Sequence, residues 1–318
     1  MKASRDGPLA SGGDSSDDRA GISHKAEALL ARALIGAALL LPYDMRVRTF
    51  GWVIAKLAAP LAGWKKRARQ NLSEVLPDLS EDDVRRIADD VCNNVGRTLI
   101  EIYSGQEFLD RVADTPIDGP GAAIFQRAKS EGRRMVLATA HLGNYDVIRG
   151  GLTRQDFHIA ALYKPMSNTA FNPHYVRAIS EIGQPVFPVG RAGVPNLVRY
   201  LKDGGSIGIV ADVANSRTPV LSFFGRPTHT AISAADWSVK YDALMIPIFA
   251  LRQKDGLSFR IHVAEPIPHG DPEIMMQRYN DIVEALVREN LGQWFWIHRR
   301  WRLSRDARSA LEEAENLT

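Results

Sequence analysis

The spacing of apolar positions along the chain changes character near Pro116. Upstream it is helical. Val84, Ile87, Val91, Val95, Leu99 and Ile102 recur every three or four residues, and Ser80 followed by Glu81, Asp82 and Asp83 supplies a capping hydroxyl and acids for a first turn. A helix is therefore predicted over 81–103. Before it, from Ala26 onward, Ala and Leu dominate, and the longest uncharged stretch, 33–43, has eleven residues. Spanning a bilayer takes about 20, so this stretch is not expected to cross one. A second apolar piece, 49–64, is interrupted by Lys56 and Pro60 and runs into Lys65-Lys66-Arg67-Ala68-Arg69. Apolar helices flanked by Arg46, Arg48 and this basic run suit the interface of an anionic membrane, and they equally suit a helix hairpin packed on its own domain.

Downstream, short apolar runs alternate with amphipathic segments. Residues 135–140 read as a buried strand, followed by a Gly-containing turn and a helix from about Asn144. Strands follow at 157–163, 186–189 and 206–211, with helices over 172–182 and 192–202 between them. Runs 244–251 and 259–263, joined across Asp255-Gly256, read as a hairpin, and a helix over 272–290 leads into Trp294-Phe-Trp-Ile-His-Arg-Arg-Trp-Arg302. The fold class predicted is α/β, a mostly parallel sheet flanked by helices, with an N-terminal helical membrane-interface region. The expected organisation is a disordered tail (1–24), a helical region (25–115), an α/β domain (116–303) and a charged C-terminal tail (304–318).

Composition narrows the classes. With 318 residues, 45% apolar and 24% charged, the chain is neither disordered nor fibrous. Its one cysteine, Cys92, rules out an internal disulfide and a thiolate metal cluster. A net charge of +3 gives no argument for nucleic acid. The acidic, polar start, Asp14-Ser15-Ser16-Asp17-Asp18, does not suit a secretory signal.

In an open α/β sheet, reactive groups lie beyond the carboxyl ends of the strands. His141 follows the strand 135–140, Asp212 follows 206–211, and Asp146 opens the helix after His141. A carboxylate on one imidazole nitrogen leaves the other free to take a proton from an alcohol, and either acid can be that partner. A histidine that only closes a strand end is the structural alternative. Two further patterns carry less. Gly204-Gly205-Ser206-Ile207-Gly208 has the spacing of a hydrolase nucleophile, but a helix precedes it and a strand follows, the reverse of the required geometry. His298-Arg299-Arg300 among Trp294, Trp296 and Trp301 can stack bases, hold phosphorylated headgroups or anchor the last helix, and no RNA-binding signature accompanies it.

His141-Leu-Gly-Asn-Tyr-Asp146 resembles the His-x4-Asp/Glu motif of the lysophospholipid acyltransferase superfamily, and specifically of the lipid A biosynthesis (lauroyl and myristoyl) acyltransferases. Arg69-Gln70-Asn71-Leu72, Gly96-Arg97-Thr98, Tyr163-Lys164-Pro165, Ala211-Asp212, Phe223-Phe224-Gly225-Arg226 and the segment from Trp294 to Trp301 follow in the family's order, so the resemblance covers about 25–303. Val213 stands where the family usually has Gln, Ile232-Ser233-Ala234 where it has Gly-Pro-Ala, and Asp146 where lipid A enzymes more often carry Glu. Asp is usual there in mycobacterial phosphatidylinositol mannoside acyltransferases, so the acceptor stays open.

The resemblance implies acyl transfer from a thioester, on acyl carrier protein or coenzyme A, to a hydroxyl of a glycolipid or lysolipid, most simply a lipid A precursor. His141 would be the general base, Asp146 or Asp212 its partner, and backbone N–H groups of Gly143 and Asn144 the oxyanion donors. Apart from the resemblance, Lys164, Arg191, Arg217 and Arg226, each in a segment near a strand end, are candidates for phosphate contacts on acceptor or donor. No metal, cofactor or nucleic acid is called for. The implied location is the cytoplasmic face of a bacterial inner membrane. A lipid-binding protein without turnover, or a hydrolase using Ser206, is the alternative.

Overall fold

The computed structural model describes residues 14–309. Helix α1 (Asp14–Leu39) leads into α2 (Tyr43–Val53), which continues through a π-helical turn (Ile54–Ala58) to α3 (Ala59–Leu61). Thereafter α4 (Trp64–Val75), α5 (Glu81–Ile102) and α6 (Gly105–Val112) complete a helical region ahead of the sheet. The capping reading of α5 holds: the Ser80 hydroxyl accepts from Asp83 N–H at 3.1 Å. Part of the tail expected over 1–24 lies outside the described residues; from Asp14 the chain is helical. In the expected C-terminal tail, 305–309 are helical, and the remainder likewise lies outside the described residues. Among the described residues, no helix is long and apolar enough to cross a membrane.

The sheet runs in the order β1-β9-β8-β2-β5-β3-β4, with β1 (Ile117–Asp118), β2 (Met135–Thr139), β3 (Ile159–Tyr163), β4 (Val186–Pro188), β5 (Ser206–Val210), β8 (Leu244–Arg252) and β9 (Phe259–Val263). Every neighbouring pair is parallel except the β8–β9 hairpin. Each sequence-predicted strand is present, with ends shifted by a residue or two.

Helices cover both faces, and β2 shows why its sequence is apolar throughout. Val136 and Ala138 face a core shared with α4, most of α5, α10 (Gly193–Lys202), α11 (Ser233–Lys240) and α12 (Pro272–Glu289). Met135 and Leu137 face the opposite core, with α1, α2, α6, α7 (Ala122–Ser130), α8 (Asp146–Thr153) and α9 (Asn172–Ile182). A strand covered on both sides has no polar face to show.

A separate hairpin, β6 (Val220–Phe223) with β7 (Arg226–His229), was not predicted. Its two-residue turn, Phe224-Gly225, has φ of 54° and 66°, the left-handed backbone that a tight hairpin demands, and an aromatic residue there gives no turn signal.

Candidate active site

Strand order brings the site together. β2 and β5 are parallel neighbours in which Thr139 pairs with Val210, so residues two positions further on, His141 and Asp212, emerge side by side at the carboxyl edge. Asp212 accepts from the His141 backbone N–H at 2.9 Å, meets His141 Nδ1 at 2.8 Å and accepts from Trp294 Nε1–H at 2.9 Å. Burial pushes its carboxyl upward, but the His141 ring, its hydrogen bonds and the nearby His298 together hold it well below the usual carboxylate range. An ionised carboxylate accepts only, so the proton sits on Nδ1 and the lone pair of Nε2 is free. The ring keeps 27% of its side-chain exposure, enough to be reached.

Asp146 is engaged elsewhere. Its carboxylate accepts from Arg149 Nη1 at 2.9 Å, and Arg149 Nη2 donates to the carbonyls of Ile179 and Gly183. Burial drives the Asp146 carboxyl upward against the pull of Arg149. The pair ties α8 to α9. Of the two acids left open by sequence, Asp212 is the one hydrogen-bonded to the imidazole.

The intervening turn is held from below. Gly143 has φ 65°, and a Cβ there would stand 1.9 Å from the Ala250 carbonyl oxygen. Its N–H donates to the Gln293 carbonyl at 3.1 Å, and that of Asn144 to Ala250 at 3.2 Å. This corrects the expectation that these two groups are oxyanion donors: both already bond backbone carbonyls, so they fix the loop. The Asn144 side chain donates to Glu101 Oε2 at 2.8 Å. Glu101, fully buried, takes a two-pronged ion pair from Arg252 at 2.6 and 2.7 Å, while Arg252 Nε donates to Asn94 and Asn94 donates to the Gly143 carbonyl. Sequence reading missed Glu101, Asn94, Arg252 and Trp294. The available signal was Asn94 and Glu101, two turns apart among the apolar positions of α5.

A cavity of about 620 Å³ opens beside His141. Leu137, Ile159, Ala161, Gly208 and Ile248 from the sheet and Ile179 from α9 give it an apolar wall. His141, Tyr145, His298 and Lys164 add polar groups. Of the four cations singled out by sequence, Lys164 lines this cavity. Arg191 and Arg217 are exposed outside it, and Arg226 donates to the Glu74 carbonyl at 2.7 Å, joining β7 to α4. Ser206 is buried at the amino end of β5, remote from the carboxyl edge that a nucleophile would need.

Much of the aromatic and basic segment is interior, although Arg299 and Arg302 are exposed. Trp294 and Trp296 are fully buried, and Arg300, 1% exposed, donates to Thr228, Thr230 and Asn280 and to the His229 carbonyl. It anchors the chain and offers no platform for bases. His141, Asp212 and His298 place potential ligand atoms within 4.8 Å of one another. A cation there would compete with the hydrogen bonds by which Asp212 orients His141.

Fold and site together give an α/β protein with a partly exposed, carboxylate-paired imidazole at a strand end and a largely apolar cavity beside it. The chain belongs to the bacterial lipid A biosynthesis acyltransferase family, whose model matches residues 22–303. It is 21% identical over 294 residues to a lipid A biosynthesis acyltransferase of Haemophilus influenzae, covering 88% of this chain and 91% of that protein. It is 22% identical over 271 residues to a lipid A biosynthesis lauroyltransferase of Escherichia coli, covering 82% and 87% respectively.

Proposed function

We propose that the enzyme moves a fatty acyl chain from a thioester, carried on acyl carrier protein or coenzyme A, to a hydroxyl of a lipid A precursor. His141 Nε2 takes the hydroxyl proton while the oxygen attacks the thioester carbonyl, and Asp212 orients the ring and stabilises the imidazolium. Such general-base help is worth about 10²–10⁴ in rate. The observation that carries the reading is the oriented His141 at the edge of an apolar cavity of about 620 Å³, a size suited to a chain-like ligand. Lys164, on the same wall, would meet a phosphate of acceptor or donor. Arg191 and Arg217, exposed outside the cavity, would meet phosphate groups of acceptor or donor beyond it.

The acceptor is a membrane lipid, and the N-terminal helices offer a surface for it. Leu30, Leu34, Leu40, Trp52, Leu57 and Leu61 are 54–91% exposed on α1 to α3, with exposed Lys66 and Arg69 close by on α4. Apolar side chains beside cations favour the interface of an anionic bilayer. The proposed location is the cytoplasmic face of the inner membrane.

The test is to incubate the purified full-length protein with a lipid A precursor and with acyl thioesters of both carriers, following the acceptor by mass spectrometry. Gain of one acyl group with release of the carrier thiol is expected. Release of free fatty acid with an unchanged acceptor would overturn the reading.

A further inference from the structure

A tetrahedral intermediate needs a donor for its negative oxygen, and the two backbone N–H groups best placed by sequence are already bonded to carbonyls. Among the described residues, the ring of His298 has no such engagement. Its ring lies 4.6 Å from that of His141, edge to face at 76°, and it lines the same cavity. Its Nε2 is buried without a hydrogen-bond partner among the described residues. An orphaned buried nitrogen is costly and calls for an explanation.

Building on the reading above, we infer that His298 is a second catalytic imidazole, a neutral N–H donor to the thioester carbonyl oxygen as it becomes an oxyanion. The position is rigid. Phe295 N–H donates to the His141 carbonyl and His298 N–H to the Phe295 carbonyl, both at 3.0 Å. Asn71 Nδ2 clamps the carbonyls of Trp296 and His298 at 2.6 and 2.8 Å, and the Phe295 ring packs 4.6 Å from the imidazole. Fixed donors act without reorganising at the moment of reaction.

The charge state fits a donor and not a second base. Burial pushes the His298 imidazole down to about 4, with His141 and Arg300 acting in the same direction and Asp212 opposing them. At neutral pH it is uncharged and a poor proton acceptor, yet it still carries an N–H. A lowered imidazole pKa serves an electrophilic role in this way.

The step balances within the groups named. The acceptor O–H gives its proton to His141 Nε2 as its oxygen bonds to the thioester carbon. The carbonyl π pair moves onto oxygen and is held by the His298 N–H. Collapse breaks the C–S bond, and the departing thiolate takes the proton from His141, leaving an ester and a thiol.

The experiment measures kcat, KM and the pH–rate profile for the wild-type protein, His298→Phe, His298→Leu, His298→Asn and His141→Ala, with thermal unfolding of each. The two donor-less variants should lose about 10²–10³-fold in kcat with KM little changed and the acid limb of the profile in place. His298→Asn, which keeps an N–H, should recover at least about tenfold of that loss. Full kcat in either donor-less variant, equal losses in all three His298 variants, or an acid limb displaced in them would overturn the inference. Activity retained by His141→Ala would instead strike the general-base reading, so the two failures are distinguishable.

Discussion

His141 Nδ1 and Asp212 Oδ1 lie 2.8 Å apart although 71 residues separate them in the chain. Their contact follows from the pairing of Thr139 with Val210 on adjacent strands. Asp146, five residues from His141, spends its carboxylate on Arg149. The two acids should therefore fail differently. Asp212→Asn removes the acceptor that fixes the ring tautomer and should lower kcat by about 10²–10⁴-fold in a folded protein. Asp146→Asn leaves the Arg149 guanidinium without its buried partner and should cost on the order of 3 kcal/mol of stability. Activity per folded molecule should fall less than in Asp212→Asn. Urea unfolding and kcat, measured on both variants, check this; the reverse pattern would contradict it.

The turn after β2 tolerates only glycine at its second position beyond His141. A methyl group at Gly143 would stand 1.9 Å from the Ala250 oxygen, at a φ of 65°. Gly143→Ala should cost more than about 2 kcal/mol and displace His141 from Asp212, lowering turnover together with the unfolding midpoint. Unchanged values for both would show that the turn has room the geometry denies it.

Burial of a leucine side chain is worth roughly 1.5–3 kcal/mol. Leu40 and Leu61, 86% and 91% exposed, therefore have much to gain at a bilayer. Leu40→Glu with Leu61→Glu should weaken sedimentation with anionic phospholipid vesicles at least tenfold while leaving thermal unfolding in detergent unchanged. Equal sedimentation would mean that the exposed face is not the one that meets lipid.

Acid should destabilise the fold through His298. Its imidazole titrates at about 4 in the fold. Unfolded, it titrates near 6.5. Between those values the unfolded chain binds a proton that the folded one refuses, so stability is full above about pH 6.5 and falls on acidification by up to ~3 kcal/mol. Asp212, depressed in the fold, acts only below about pH 4. Denaturant midpoints taken from about pH 7 down to pH 4.5 should decline in the wild-type protein and much less in His298→Phe. Parallel declines would contradict the assignment.

What could be read from the string was what local pattern encodes. β2, β3, β4 and β5 are short apolar runs between amphipathic helices, and α5 carries its cap in Ser80. His141 and Asp212 were recognisable singly because each ends such a run. Their pairing was not, because it depends on which strands are neighbours. The spacing left Asp146 and Asp212 both open as partners, and the first turn of α8 aims the Asp146 carboxylate at Arg149 three residues on. The same non-local logic hid Trp294, whose indole reaches Asp212, and the Glu101–Arg252 pair beneath the loop. The β6–β7 hairpin escaped because Phe224 occupies a backbone region that local rules reserve for Gly or Asn.

The most direct measurement is acyl transfer by His141→Ala, with occupancy of the cavity by an acyl ligand measured on the same preparation. The account predicts that the chain still binds and that transfer falls by at least about 10²-fold. Transfer at the wild-type rate, with the ligand bound, would contradict it.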